Sequence, residues 1–262
     1  MLPRRRQHIF LNMHDKYDII SIGAHPDDVE VGTGGVLIKM AEYGYRTGLI
    51  YLTKGEMGTG GTPEIRAAEA RRAAEIMGAD LLQTMDWGDT RLEDKPEYRY
   101  QMAAMLRQYR PDIVLAPWPT GGHGKRQSHP DHLAAGQIVT NSVYYATFKK
   151  LPIEGEIHRV KGLYHYFLPP EVSPTFVVDI SNQFEHWREA LKAHESQFMN
   201  PEKSRDYLWS LETLARSFGG MVGVKYGQGF RIGEPLKIMD PFCLVKGDDD
   251  EPSCKFGKNN PL

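Results

Sequence analysis

Cysteine is almost absent. Cys243 and Cys254 are the only two in 262 residues and show no CxxC spacing, which excludes a disulfide framework. A reduced, cytoplasmic setting is therefore expected. No apolar run approaches the roughly 18 residues of a membrane span, so no membrane contact is expected. Charge of one sign is not in excess either: 32 Lys and Arg stand against 34 Asp and Glu, for a net −2. That balance offers no broad positive field, and nucleic acid is excluded as the main partner. The N-terminal stretch through Asn12 carries a basic cluster but no apolar segment long enough for a signal peptide.

What remains is the composition of an ordinary globular protein, 40% hydrophobic and 25% charged. Residues 1–12 are expected to be an N-terminal extension, 13–245 a single domain, and 246–262 a polar tail. Within the domain, apolar runs alternate with helix-period segments. Strands are predicted at Tyr17–Gly23, Thr47–Thr53, Asp80–Met85, Asp112–Ala116, Lys161–Leu168 and Thr175–Ile180. Helices are predicted near Gly34–Tyr43, from Pro63 to Gly78, over Tyr98–Tyr109 and Pro130–Phe148, and then over Asn182–Phe198 and Arg205–Ser217. This alternation predicts an α/β, Rossmann-like fold: a mostly parallel sheet with helices on both faces.

Candidate chemistry concentrates in two short segments. Ala24-His25-Pro26-Asp27-Asp28 follows the first strand, and Ser128-His129-Pro130-Asp131-His132 follows the fourth. In a sheet of order 3-2-1-4-5 those strands are neighbours, and their carboxyl ends flank the usual ligand crevice. Imidazole and carboxylate are ligands that catalytic zinc takes, although Fe2+ and other divalent ions accept them too. Pro26 stiffens a turn able to aim His25 and Asp28 at one point, leaving Asp27 free beside the metal. His129 and His132, three residues apart at a helix start, can share a side. A metal lowers the pKa of its water, and a free carboxylate then takes the proton, which is hydrolase chemistry. The Gly32–Gly35 run does not read as a dinucleotide fingerprint, because Asp27, Asp28 and Glu30 crowd the turn that would hold a phosphate.

AHPDD and HPDH, together with Lys54–Arg66 (KGEMGTGGTPEIR) and His194-Glu195-Ser196-Gln197, resemble the signature segments of the PIG-L/LmbE-like N-acetylglucosaminyl deacetylases. The likeness runs from about Asp18 to Phe230. It implies zinc held by His25, Asp28 and His132, with Asp27 as general base. It further implies that His129 stabilises the oxyanion and that Asp131 orients it as a charged imidazolium. Arg66 and Asp89 are implied sugar contacts. In the loop Thr120–Ser128, Arg126 is expected to meet an anionic aglycone. His194 is expected to anchor its helix by hydrogen bonding.

The resemblance is nearest to the bacillithiol-pathway deacetylases, so N-acetylglucosaminyl malate is the expected substrate. A chitobiose-type deacetylase and a thiol-conjugate amidase are alternatives, as is a non-catalytic metal- or sugar-binding module. The family also implies a homo-oligomer, commonly a hexamer.

Overall fold

A computed structural model describes residues 16–121, 128–199 and 206–237. Seven strands form one sheet: β1 (Ile19–Gly23), β2 (Thr47–Tyr51), β3 (Asp80–Thr84), β4 (Ile113–Pro117), β5 (Gly162–Tyr166), β6 (Phe176–Asp179) and β7 (Gly227–Ile232). Their order is β3-β2-β1-β4-β5-β7-β6. The first five run parallel, whereas β7 pairs antiparallel with both β5 and β6. The helices are α1 (Asp28–Glu42), α2 (Pro63–Met77), α3 (Pro96–Tyr109), α4 (Pro130–Tyr145), α5 (Phe184–Lys192), α6 (Glu195–Phe198) and α7 (Tyr207–Val222). The α/β, mostly parallel architecture is as the alternation of patterns predicts.

Strand periodicity divides the core in two. Ile19, Leu49, Tyr51 and Leu115 point to one face and pack with α1, α2 and α5. Ile20, Ile22, Ile50, Leu52 and Val114 point to the other and pack with α3 and α4. Because both faces are covered, β1 and β2 are buried along their whole length.

Local signals set several boundaries. Thr62 caps α2 by accepting from the Ile65 N–H, Pro63 takes the first helical position, and Gly78 ends the helix at φ +65°. The first helix starts at Asp28, earlier than the Gly34 expected from sequence. Its glycines serve close packing: a Cβ on Gly32 would stand 2.1 Å from the Tyr166 ring, and one on Gly35 would stand 2.7 Å from Ile180. The stretch expected as one helix over Asn182–Phe198 breaks into α5 and α6 at His194. Strand β7, which lies between β5 and β6, has no counterpart among the predicted strands.

One compact body ends with β7 at Ile232, and a separate unit begins at Gly233, of which only residues 233–237 are described. The boundaries expected at 12/13 and 245/246 lie outside the described residues. Among the described residues, no helix is long and apolar enough to cross a membrane.

Candidate active site

Parallel pairing of β1 with β4 brings the two chemical segments together. The turn from β1 into α1 presents His25, Asp27 and Asp28. The start of α4, where Pro130 takes the first helical position, presents His129, Asp131 and His132. Asp28 joins the two groups. Its Oδ2 accepts the His25 backbone N–H at 2.8 Å and lies 3.5 Å from His25 Nδ1, while its Oδ1 lies 3.0 Å from His132 Nε2.

His25 is enclosed by acid. Its Nε2 lies 3.1 Å from Asp131 Oδ2 and 3.1 Å from Asp89 Oδ1. Burial opposes a charge on this ring, but hydrogen bonds to Asp131, Asp28 and Asp89 prevail and push it up to about 12. Burial likewise works against ionised Asp28, yet His132 and His25 hold its carboxyl well below the usual range. Ring nitrogens of His25, His129 and His132 all lie within 4.8 Å of one another. Three imidazoles and three carboxylates converge here, with His25 and the carboxylates buried, His132 half-buried and His129 exposed, and they are a donor set for a divalent cation. The residues fit a divalent metal such as the resemblance implies.

Asp27 stands apart from this cluster. It makes no side-chain cap bond to α1, and its backbone holds φ 136°, an unusual conformation for a non-glycine residue. Burial, then the charge of Asp28, raises its carboxyl to about 6, while Arg66 pulls the other way. The shift makes Asp27 the more basic of the two adjacent carboxylates.

The other expected site residues fall as follows. Arg66, implied as a sugar contact, is buried, and its guanidinium is used internally. It donates to Pro26 O at 2.7 Å and Gly55 O at 2.9 Å, and it lies 3.4 Å from Asp27 Oδ1. It thereby fastens the Asp27 turn to the segment after β2. Gly55, at φ +65°, leaves room for it, since a Cβ there would lie 2.0 Å from Arg66 Nη1. Asp89 is buried too; beyond His25, it accepts the Met57 N–H at 2.8 Å. Arg126 lies outside the described residues.

The Asp131 carboxylate, implied as the partner that orients His129, faces His25 in this structure and accepts the Thr90 N–H at 2.7 Å. Instead, its backbone N–H points at His129 Nδ1 at 3.2 Å, which makes that nitrogen an acceptor. Burial and the nearby His25 and His132 lower the His129 pKa, favouring the neutral ring. The reason is the helix start: the backbone that caps on His129 turns the Asp131 side chain inward, towards the β1 turn.

Sequence reasoning missed the polar layer behind the site. The hydrogen bond expected of His194 is not formed: both ring nitrogens are buried without a hydrogen-bond partner among the described residues, although Nε2 lies 3.2 Å from Glu30 Oε1, which accepts the Tyr51 hydroxyl at 2.5 Å. Glu69 on α2 accepts both the N–H and the hydroxyl of Ser196, each at 2.7 Å, and so ties down α6. The only sequence signal for this layer is the HESQ run, which marks the segment without naming its partners.

The family model described as PIG-L: GlcNAc-PI de-N-acetylase matches residues 20–143. The chain is 33% identical to a diacetylchitobiose deacetylase of Thermococcus kodakarensis over 84% of each chain. It is 27% identical to a probable N-acetyl-alpha-D-glucosaminyl L-malate deacetylase of Bacillus cereus, over 68% of this chain and 83% of that one. Its fold matches a conserved protein of Thermus thermophilus with a TM-score of 0.76 and 36% identity, covering 85% of this chain and 97% of the other. The chain belongs to the PIG-L family of de-N-acetylases.

Proposed function

We propose that this protein is a metal-dependent deacetylase that hydrolyses the acetamide of an N-acetylglucosamine derivative, releasing acetate and the free amino sugar. The observation that carries the reading is Asp28 spanning His25 and His132 while Asp27 stays outside that cluster, beside them. His25, Asp28 and His132 would hold the cation, with zinc as the expected metal and Fe2+ a second ion that the same donors accept. When bound, such a cation supplies Lewis acidity, polarising a carbonyl and lowering the pKa of water.

The remaining work falls to side chains. Asp27 takes a proton from the water that attacks the acetamide carbon. Once protonated, it returns that proton to the nitrogen as the carbon–nitrogen bond breaks, since an amine leaves poorly as an anion. With Nδ1 accepting from the Asp131 N–H, neutral His129 carries its proton on Nε2. That N–H is the group suited to stabilise the developing oxyanion. Asp131 and Asp89 act through His25, fixing the ring from behind.

A neutral aglycone is favoured over malate. The similarity to the diacetylchitobiose deacetylase is higher and covers more of the chain than that to the malate enzyme. The deciding experiment measures acetate released from diacetylchitobiose, N-acetylglucosaminyl malate and N-acetylglucosamine by metal-loaded and chelated protein. Release from diacetylchitobiose that stops on chelation is expected. Faster turnover of the malyl compound would restore the anionic reading.

A further inference from the structure

The cleft continues well beyond its catalytic end. Asp27, Asp28 and His132 form one side, and Val31, Phe167 and Phe198 continue the wall. The rest of the lining comes from α7, where Tyr207, Ser210, Leu211 and Leu214 follow the i, i+3, i+4, i+7 spacing of a single helix face. His132 stacks on the Phe167 ring at 4.8 Å, so the catalytic and apolar surfaces are continuous. Phe167 also lines a second, partly open cavity of about 60 Å³, several times the roughly 15 Å³ that a single water requires. Val31, Phe167, Leu211 and Leu214 line both spaces.

Polar groups around the second cavity already have partners in the protein. Gln228 Oε1 accepts the Val36 N–H, and its Nε2 donates to Val31 O. The Tyr166 hydroxyl donates to Ile22 O, and Trp187 Nε1 donates to Glu30 O. A ligand entering here meets hydrocarbon and aromatic faces, and among the described lining residues no Lys or Arg. Such a surface favours apolar groups by desolvation and discriminates poorly among polar ones.

We propose that this space is a substrate subsite for an alkyl or aryl substituent carried by the N-acylated glucosamine. The proposal rests on the deacetylase reading for the identity of the sugar, but it can be tested apart from that reaction. The substituent has two possible sources, the aglycone or an N-acyl chain longer than acetyl.

Equilibrium binding of methyl, butyl and hexyl β-glucosides to the full chain, followed by calorimetry, tests the subsite first. These probes carry no acetamide, so their binding does not depend on hydrolysis. Affinity is expected to rise about fourfold for each methylene buried. Leu214→Lys, at a position already half exposed, should flatten the series. Equal affinity for all three glucosides in the unmodified protein would overturn the proposal. The second arm compares kcat/KM for hexyl against methyl N-acetylglucosaminide, and for N-hexanoyl- against N-acetylglucosamine. A gain of about tenfold or more in the first, the return on two or so buried methylenes, assigns the subsite to the aglycone, and such a gain in the second assigns it to the acyl chain. Turnover of these compounds with no gain in either would overturn a substrate role. If no sugar is turned over at all, the deacetylase reading fails and the glucoside series still decides whether the apolar subsite exists.

Discussion

The carboxylate of Asp131 lies 3.1 Å from His25 Nε2, joining residues 106 apart in sequence. The contact makes Asp131 a support for a candidate metal ligand. Outer partners of this kind fix the orientation of the ligand ring, and their loss commonly lowers metal affinity by about 10- to 100-fold. Asp131→Ala is therefore expected to weaken metal binding within that range while leaving the far-ultraviolet circular dichroism unchanged. Chelator competition provides the measurement. If Asp131 instead served His129 alone, metal affinity would hold and only kcat would fall.

Arg66 offers a separation between holding a turn and touching a sugar. Its two Nη atoms satisfy Pro26 O and Gly55 O in a buried setting. Arg66→Ala leaves those acceptors unpaired, at a cost of about 1–3 kcal/mol for each one left buried. A lower urea midpoint is expected, with kcat reduced because the Asp27 turn is no longer fastened, and with KM for the sugar nearly unchanged. A large rise in KM at constant stability would show that Arg66 contacts the substrate after all.

His158 gives a pH dependence remote from the metal cluster. Burial lowers its pKa below the ordinary 6.5, although a bond from the ring to Pro111 O at 2.8 Å partly offsets this. The neutral ring is therefore the form that the folded state prefers. A depressed folded pKa contributes stability that is fully present above the unfolded value of about 6.5 and is lost as pH falls through the lower folded value. Relative to His158→Gln, which does not titrate, the unmodified protein should lose urea resistance as the pH is taken from about 8 to about 5, across that window. Parallel curves for the two proteins would contradict the assignment.

The sequence exposes what is local or topological. AHPDD and SHPDH are each short, proline-stiffened turns at strand ends, and the 3-2-1-4-5 order alone brings them together, as the β1–β4 pairing shows. Partner choice within the pocket is not legible in this way. Nothing in the spacing tells Asp131 to face His25 across the sheet instead of His129 two residues away. Arg66, read as open to a sugar, is closed by two backbone carbonyls from loops distant in sequence. Strand β7 escapes notice because Gly227 and Gly229 interrupt its pattern. Both are small for packing reasons, since a Cβ on Gly227 would meet the Val177 side chain at 2.5 Å and one on Gly229 the Phe218 ring at 2.8 Å. Glu30, read as part of the acidic turn after the first strand, and His194, read as a helix anchor, prove to be a fully buried pair 3.2 Å apart, which no local pattern specifies.

Metal content and acetate release, measured together on three proteins, test the central claim most directly. The unmodified chain should bind one divalent ion and release acetate. His132→Ala should lose both. Asp27→Asn should keep its metal while kcat falls by about 10²- to 10⁴-fold, the range for removing a general base. An Asp27→Asn protein that is metal-loaded and fully active, or a His132→Ala protein that retains both metal and turnover, would contradict the account.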